Sequence, residues 1–220
     1  MIQVVISGYG RMGHMVEAEL KRRGIKIVAA SEDICSVPVE LARESVCIDF
    51  TWPDSFKANY PFIAKNFKAA VVGTTGWEDI RADVLKAFEQ AGTPLIYTSN
   101  FSLGVNALYA AVTRASALLK GNGYTPSVEE IHHIHKLDAP SGTAKSLGVL
   151  IEEGLGVKPE ITAIREGEVP GIHTVTMVSD CDKLTFRHEA FSREGLAKGA
   201  VVAALMTEGL TGVHEFSTLL

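Results

Sequence analysis

Cysteine is scarce and scattered. Cys35, Cys47 and Cys181 are odd in number and form no CxxC pair, which argues against a disulfide framework or a cysteine-rich zinc site and fits a reducing compartment. A basic excess is missing as well. The 21 Lys and Arg against 26 Asp and Glu leave a net charge of −5, with a pI near 5.8. That balance argues against a general nucleic-acid binder, so any anionic ligand has to be held by local groups. No apolar run reaches membrane-spanning length, and the opening MIQVVISGYG meets glycine too soon for a secretory signal. The chain therefore reads as soluble and cytoplasmic, with no membrane partner. A disorder-prone composition is absent too: 46% hydrophobic and 21% charged residues over 220 positions suffice for one good core or two modest ones.

What is present begins with a short apolar strand, Ile2 to Ile6, a glycine turn, and a helix whose Met12, Val16 and Leu20 recur at helical spacing before Gly24. The spacing Gly8-x-Gly10-x-x-Gly13 falls where strand becomes helix. There Gly8 can make the tight turn, Gly10 can admit a pyrophosphate and Gly13 can let helix and strand pack closely, with the helix N-terminus facing the phosphates. A second strand, IKIVAASED, carries Glu32 at its end, about 20 residues on, where a dinucleotide fold places an acid on the adenosine ribose. Strands over 46–51, 69–75 and 94–100, with helices near 54–66 and 78–91, continue a parallel βα pattern. Ligands bind beyond the carboxyl ends of such strands, so Asp49-Phe50-Thr51, Gly73-Thr74-Thr75-Gly76 and Ser99-Asn100-Phe101-Ser102 are expected to border one crevice.

The segment EEIHHIHKLDAPSGTA, residues 129–144, places His132, His133, His135 and Lys136 together and follows them with a turn. Period-two alternation sets Ile131, His133 and His135 on one strand face and Glu130, His132, Ile134 and Lys136 on the other, for as long as the strand stays regular. Asp138, Pro140, Ser141 and Gly142 favour a break, after which TAKSLGVLIEEGL has helical spacing, so Ser141 or Thr143 can cap a helix whose first N–H groups form an anion cradle. A fixed charge on Lys136 and protonatable histidines suit a small acidic substrate. No metal is expected: His132 and His133 point to opposite faces and no nearby carboxylate completes an evident site.

EEIHHIHKLDAPSGTA closely resembles the signature of bacterial dihydrodipicolinate reductase, also called 4-hydroxy-tetrahydrodipicolinate reductase, of the diaminopimelate and lysine pathway. GRMG, IDFT, GTTG, SNFSLGVN, REGEVPGIHTV and FSREGLAKGAV occur in the expected order. The chain is short for that family, mainly between the second strand and IDFT. The resemblance implies a Rossmann-type doubly wound parallel sheet formed by 1–104 and 193–220, plus a smaller α+β substrate and oligomerisation domain with an open mixed sheet over 105–192, usually assembled as a homotetramer. It implies NADH or NADPH as cofactor, held by Gly8, Gly10, Arg11, Met12, Gly13, Glu32, Gly73, Thr74, Thr75, Ser99, Asn100 and Phe101. It also implies a cyclic dicarboxylate substrate held by His133, Ser141, Gly142 and Thr143, with His132 as candidate acid and Lys136 as clamp or alternative proton donor. NADH is favoured, because the family's arginine after the acid is here Asp33, although Lys26 or an arginine from another loop could reach the extra phosphate of NADPH. Gly167 and Gly171 offer flexible points near the domain crossing, and His173 reads as structural. Other nicotinamide-dependent reductases of amino-acid metabolism should lack the full HHxxK and SGT combination. A non-catalytic cofactor sensor would have no reason to keep the proton carriers.

Overall fold

The computed structural model describes residues 2–220. The chain forms two compact units: one is the sequence up to Phe101 with Leu196–Leu220, the other Ser102–Gly195.

The first unit begins with β1 (Gln3–Ser7), α1 (Arg11–Arg22), β2 (Lys26–Ser31), a short α2 (Val39–Arg43), β3 (Ser45–Asp49), α3 (Pro53–Asn66), β4 (Ala69–Val72), α4 (Arg81–Ala91) and β5 (Leu95–Tyr97). Strands β3 and β4 are buried along their whole length, as expected of parallel strands covered on both faces, and this is why they read as continuous apolar runs. Pro53 occupies the first turn of α3, where its fixed φ is helical and its missing N–H costs no bond. Gly92, in the left-handed conformation, closes α4.

The second unit contains α5 (Leu103–Leu119), β6 (Thr125–His132), α6 (Gly142–Leu155), β7 (Glu160–Arg165), β8 (Ile172–Val178) and β9 (Lys183–Glu189). Its sheet runs β7-β6-β8-β9, with β6 and β7 parallel and the other pairs antiparallel. Leu108 and Val112 of α5 and Leu147 and Ile151 of α6 pack with Val128, Val175 and Met177 in one core. On β6 the alternation is strict: Pro126, Val128, Glu130 and His132 are buried, while Ser127 and Glu129 are exposed.

The chain then returns through α7 (Glu194–Met206) to β10 (Val213–Glu215). The latter pairs in parallel with β5 and completes a six-stranded sheet, β10-β5-β4-β3-β1-β2. All its pairings are parallel. One face buries Val4, Ile6, Val16, Leu20, Val201 and Phe216; the other buries Val5, Cys47, Phe56, Ile63, Val84 and Phe88. Small residues let α7 approach closely, since a Cβ on Gly199 would stand 1.7 Å from the Phe101 carbonyl oxygen. The expected architecture is therefore the observed one, a Rossmann-type doubly wound sheet and a smaller α+β unit with an open mixed sheet. The strand order reverses between β1 and β3, and a crevice beyond their carboxyl ends is where such sheets take ligands. Among the described residues, no helix is long and apolar enough to cross a membrane.

Candidate active site

At the β1–α1 turn the three glycines have separate physical reasons. Gly8 has φ +84°, and a Cβ there would lie 2.5 Å from the Phe50 carbonyl oxygen; one on Gly13 would lie 2.3 Å from the carbonyl oxygen of Gly8. Gly10 instead has open space within 4 Å, and it precedes α1 without a side-chain cap. An uncapped helix N-terminus beside an open glycine fits the phosphates of a dinucleotide. Glu32, just beyond β2, accepts the Tyr9 N–H at 2.7 Å through one carboxylate oxygen. Arg11 is exposed at the first position of α1 and has no ion-pair or hydrogen-bond partner among the described residues. Met12 is partly buried against the core. Lys26 opens β2 while Glu32 follows its end, six residues or about 20 Å of strand away, so Lys26 does not stand beside Glu32 at the strand end.

Two other strand ends differ from the sequence reading. Asp49 does not border the crevice; it is fully buried and accepts hydrogen bonds from Ser7 Oγ at 2.6 Å, Thr74 Oγ1 at 2.5 Å and Thr51 Oγ1 at 3.0 Å. Burial pushes its carboxyl above the ordinary aspartate range, against the pull of these hydroxyls. The Thr74 side chain is thus committed to Asp49 and its carbonyl to Trp77 Nε1 at 2.6 Å, so its N–H is the group left for a ligand. Phe101 is buried in the core with its ring 5.0 Å from Phe216 and 6.1 Å from Phe50, so its side chain cannot line a cofactor pocket. A Cβ on Gly73 would meet the Phe50 ring at 2.2 Å. Thr75 and Ser99 line a cavity of about 140 Å³ with Tyr97 and Arg81, and Asn100 adjoins them, half-buried.

In the second unit β6 ends at His132, so the face assignment holds for Glu130 and His132 and fails beyond them. The Lys136 N–H donates to the His133 carbonyl at 3.1 Å, turning the chain. His132 Nδ1 bonds to Glu130 Oε2. The other carboxylate oxygen accepts the Ser141 N–H at 3.1 Å and Arg165 Nη2 at 2.9 Å. Ser141 is the N-cap of α6, accepting from the Ala144 N–H at 3.2 Å, and its hydroxyl lies 3.2 Å from His173 Nε2. The His132 and His173 rings are 5.1 Å apart. Gly142 opens the helix with open space where a Cβ would be, and half-buried Thr143 follows. Lys136 Nζ pairs with Asp138 at 2.7 Å, and His133 Nε2 is 3.5 Å from Arg193 Nη2.

Sequence reasoning overlooks the partners of His132. A carboxylate does stand beside the histidines, contrary to expectation: donor atoms of Glu130, His132 and His173 lie within 4.8 Å of one another. Both Glu130 oxygens are already engaged by His132, Arg165 and Ser141, so the cluster reads as a hydrogen-bonded network. Burial pushes the Glu130 carboxyl up, but Arg165, His132 and the Ser141 N–H outweigh it and hold it below the ordinary glutamate range. Burial lowers the His132 imidazole against the opposing pull of Glu130 and brings His173 down to about 4.

The family profile of the N-terminal part of dihydrodipicolinate reductase matches residues 2–101, and that of its C-terminal part matches residues 104–220. The chain belongs to the dihydrodipicolinate reductase family. A 4-hydroxy-tetrahydrodipicolinate reductase of Christiangramia forsetii is 37% identical over 233 residues, covering 100% of this chain and 98% of the relative. Another, from Methanopyrus kandleri, is 38% identical over 194 residues, 80% of this chain and 70% of the relative. The fold matches a dipicolinate-bound dihydrodipicolinate reductase from a Paenisporosarcina species with a TM-score of 0.83 at 20% identity, covering 100% of both chains. An aspartate dehydrogenase from Thermotoga maritima shares the fold more distantly, with a TM-score of 0.55 at 15% identity over 96% of this chain and 97% of that one. Membership in the reductase family makes the first unit the pyridine-nucleotide-binding part and the protein an oxidoreductase.

Proposed function

We infer that the protein reduces 4-hydroxy-tetrahydrodipicolinate to tetrahydrodipicolinate in diaminopimelate and lysine biosynthesis. The observation that carries this reading is the cluster around His132, with Lys136 and the N-terminus of α6, in a chain matched over nearly all its length by one reductase family. Residues 1–104 and 193–220 hold the nucleotide and residues 105–192 the substrate. A bound nicotinamide supplies hydride equivalents. Gly8, Gly10, Arg11, Gly13 and Glu32 hold its nucleotide, with Gly73, Thr75, Ser99, Asn100 and the Thr74 backbone nearer the reacting ring.

His133, Lys136, Gly142 and Thr143 take a substrate carboxylate, orienting the ring and stabilising negative charge that develops on it. Ser141 contributes by capping α6, since its hydroxyl is engaged with Ala144 and His173. Once the 4-hydroxyl has left as water and the ring is conjugated, C4 would take the hydride, and His132 delivers the proton to the neighbouring ring carbon. Lys136, whose Nζ is paired with Asp138 at 2.7 Å, acts as the clamp.

NADH is the preferred cofactor. Glu32 and Asp33 stand together beyond β2, where a ribose with free hydroxyls can donate to a carboxylate and a 2′-phosphate would be repelled. Four copies assemble through the open sheet of the second unit, whose edges β7 and β9 would otherwise stay unpaired. The test is spectrophotometric: NADH oxidation is followed with freshly made dihydrodipicolinate synthase product. Oxidation dependent on that product is expected, and its absence with a folded, NADH-binding protein would refute the reading.

A further inference from the structure

The reaction above uses one nitrogen of His132 and leaves unexplained a buried carboxylate against the other. Glu130 has no solvent exposure. Two residues before His132 on a strand, it shares the same face. Its Oε2 meets His132 Nδ1, while Oε1 takes the Ser141 N–H and the Arg165 guanidinium. Those partners come from β6, the start of α6 and the end of β7, and Arg165 is the register partner of His132 across the β6–β7 ladder. An ionised carboxylate only accepts hydrogen bonds, so the neutral imidazole must carry its hydrogen on Nδ1. Nε2 then has no partner among the described residues and is not among the buried unpaired atoms. A Cβ on Gly171 would stand 2.9 Å from it, so glycine leaves that side of the ring open.

We propose that Glu130 is a positioning residue for the reduction: it fixes the His132 ring in one orientation and one tautomer, Nδ1–H inward and Nε2 outward, and thereby selects the nitrogen that exchanges the proton. This rests on the reading of His132 as proton donor. The carboxylate is held in turn by Arg165 and the Ser141 N–H, so the arrangement follows the logic of a base oriented by a third group. The charged and titratable groups facing His132 are Glu130 on β6, Arg165 on β7, His173 on β8 and Lys136 in the following loop; Asp138 is paired with Lys136, and His188 lies beside His173 across the β8–β9 ladder. Glu130 is the carboxylate in direct contact with the ring. Neutralising it moves His132 one way, toward loss of its proton at lower pH.

The test combines histidine ¹⁵N NMR with kinetics on the full chain. Glu130→Gln keeps the side-chain shape, and the double variant E130Q/R165Q removes both charges so that no guanidinium is left unpaired. Neutral His132 is expected as the Nδ1–H tautomer in wild type and as a mixture in both variants, with its titration moved to lower pH. Turnover is expected to fall at least about 10-fold with a smaller change in KM, and the alkaline limb of kcat/KM to move to lower pH with it. An Nε2–H tautomer in the wild type overturns the proposal without any variant. So does an unchanged tautomer in folded variants, whatever their activity, or a changed tautomer with unchanged kcat. If His132→Ala retained normal turnover while E130Q still shifted the tautomer, the reading of His132 as donor would have failed, and with it the catalytic half of the proposal, although the hold on the ring would stand.

Discussion

Replacing Asp49 by alanine removes one acceptor from three strand ends of the first unit at once. Ser7 and Thr74 are themselves buried, at 1% and 5% exposure, and lose the acceptors they hold at 2.6 and 2.5 Å. Each buried hydroxyl left without a partner costs about 1–3 kcal/mol, so D49A should lose roughly 3–5 kcal/mol once the small cavity is included. At about 2–4 °C per kcal/mol for a chain of this size, the melting temperature should fall by roughly 10 °C. The amide oxygen introduced by D49N would still accept from Thr51 and Thr74 and would bury no charge, so that variant should cost no more than about 1 kcal/mol. The pH dependence has a definite sign. The folded carboxyl titrates above its unfolded value, so its stabilising contribution is complete below the unfolded pKa and is lost as pH rises through the folded one. The non-titrating D49N variant should therefore gain on wild type as pH moves from acid to neutral. Thermal melts across that range, with NADH affinity by fluorescence, measure both effects. A D49A melting temperature within about 2 °C of wild type, or a D49N variant that loses ground toward neutrality, would refute the reasoning.

His132→Ala and Lys136→Ala should each lower turnover or kcat/KM at least about 100-fold with the far-UV spectrum unchanged, as expected for loss of an acid and of a charge-stabilising clamp; near-normal kinetics in both would remove the site. Asp33→Arg should raise the NADPH to NADH ratio of kcat/KM by roughly 10-fold at fixed ionic strength, a moderate shift because the strand end is exposed and screened. It should also lower the melting point slightly, since Asp33 accepts the Cys35 N–H at 3.1 Å; a wild-type NADPH preference left unchanged by the substitution would exclude this strand end as the ribose reader. Gly171→Ala places a methyl 2.9 Å from His132 Nε2 at φ +153° and should lower kcat by about 100-fold while NADH still binds, an offset of the kind that costs an active site this much. Unchanged kcat would mean that the proton does not leave from that side.

The glycine turn, the parallel strands and the capped helix after the histidines are legible because each is a local pattern. Gly8, Gly10 and Gly13 sit where strand becomes helix, and Ser141 stands directly before helical spacing. Glu130 and His132 share a face by simple alternation, so the carboxylate is within reach of the sequence. Arg165 is not: its place beside Glu130 depends on β7 pairing with β6 in a particular register, a nonlocal choice that the order of residues does not display. Asp49 is misplaced by sequence reasoning for a related cause. Strand ends beside a crevice and strand ends beneath it use the same small polar residues, and only the hydroxyls that converge on a side chain tell them apart. Strand β10 escapes notice because three residues are too few to show alternation.

The first unit is assembled from two stretches of chain separated by the whole of the second. During synthesis its first five strands emerge without the edge partner of β5 and without the helix that covers Val4, Ile6 and Leu20. The nascent sheet therefore leaves the β5 edge without its partner and its α1 face only partly covered until Ala200, Val201 and Phe216 have left the ribosome, whereas the second unit is continuous and can close earlier. The period of greatest exposure to aggregation falls late in translation. A release delayed by stalling near the C-terminus should consequently harm the nucleotide-binding half while the substrate half is already formed.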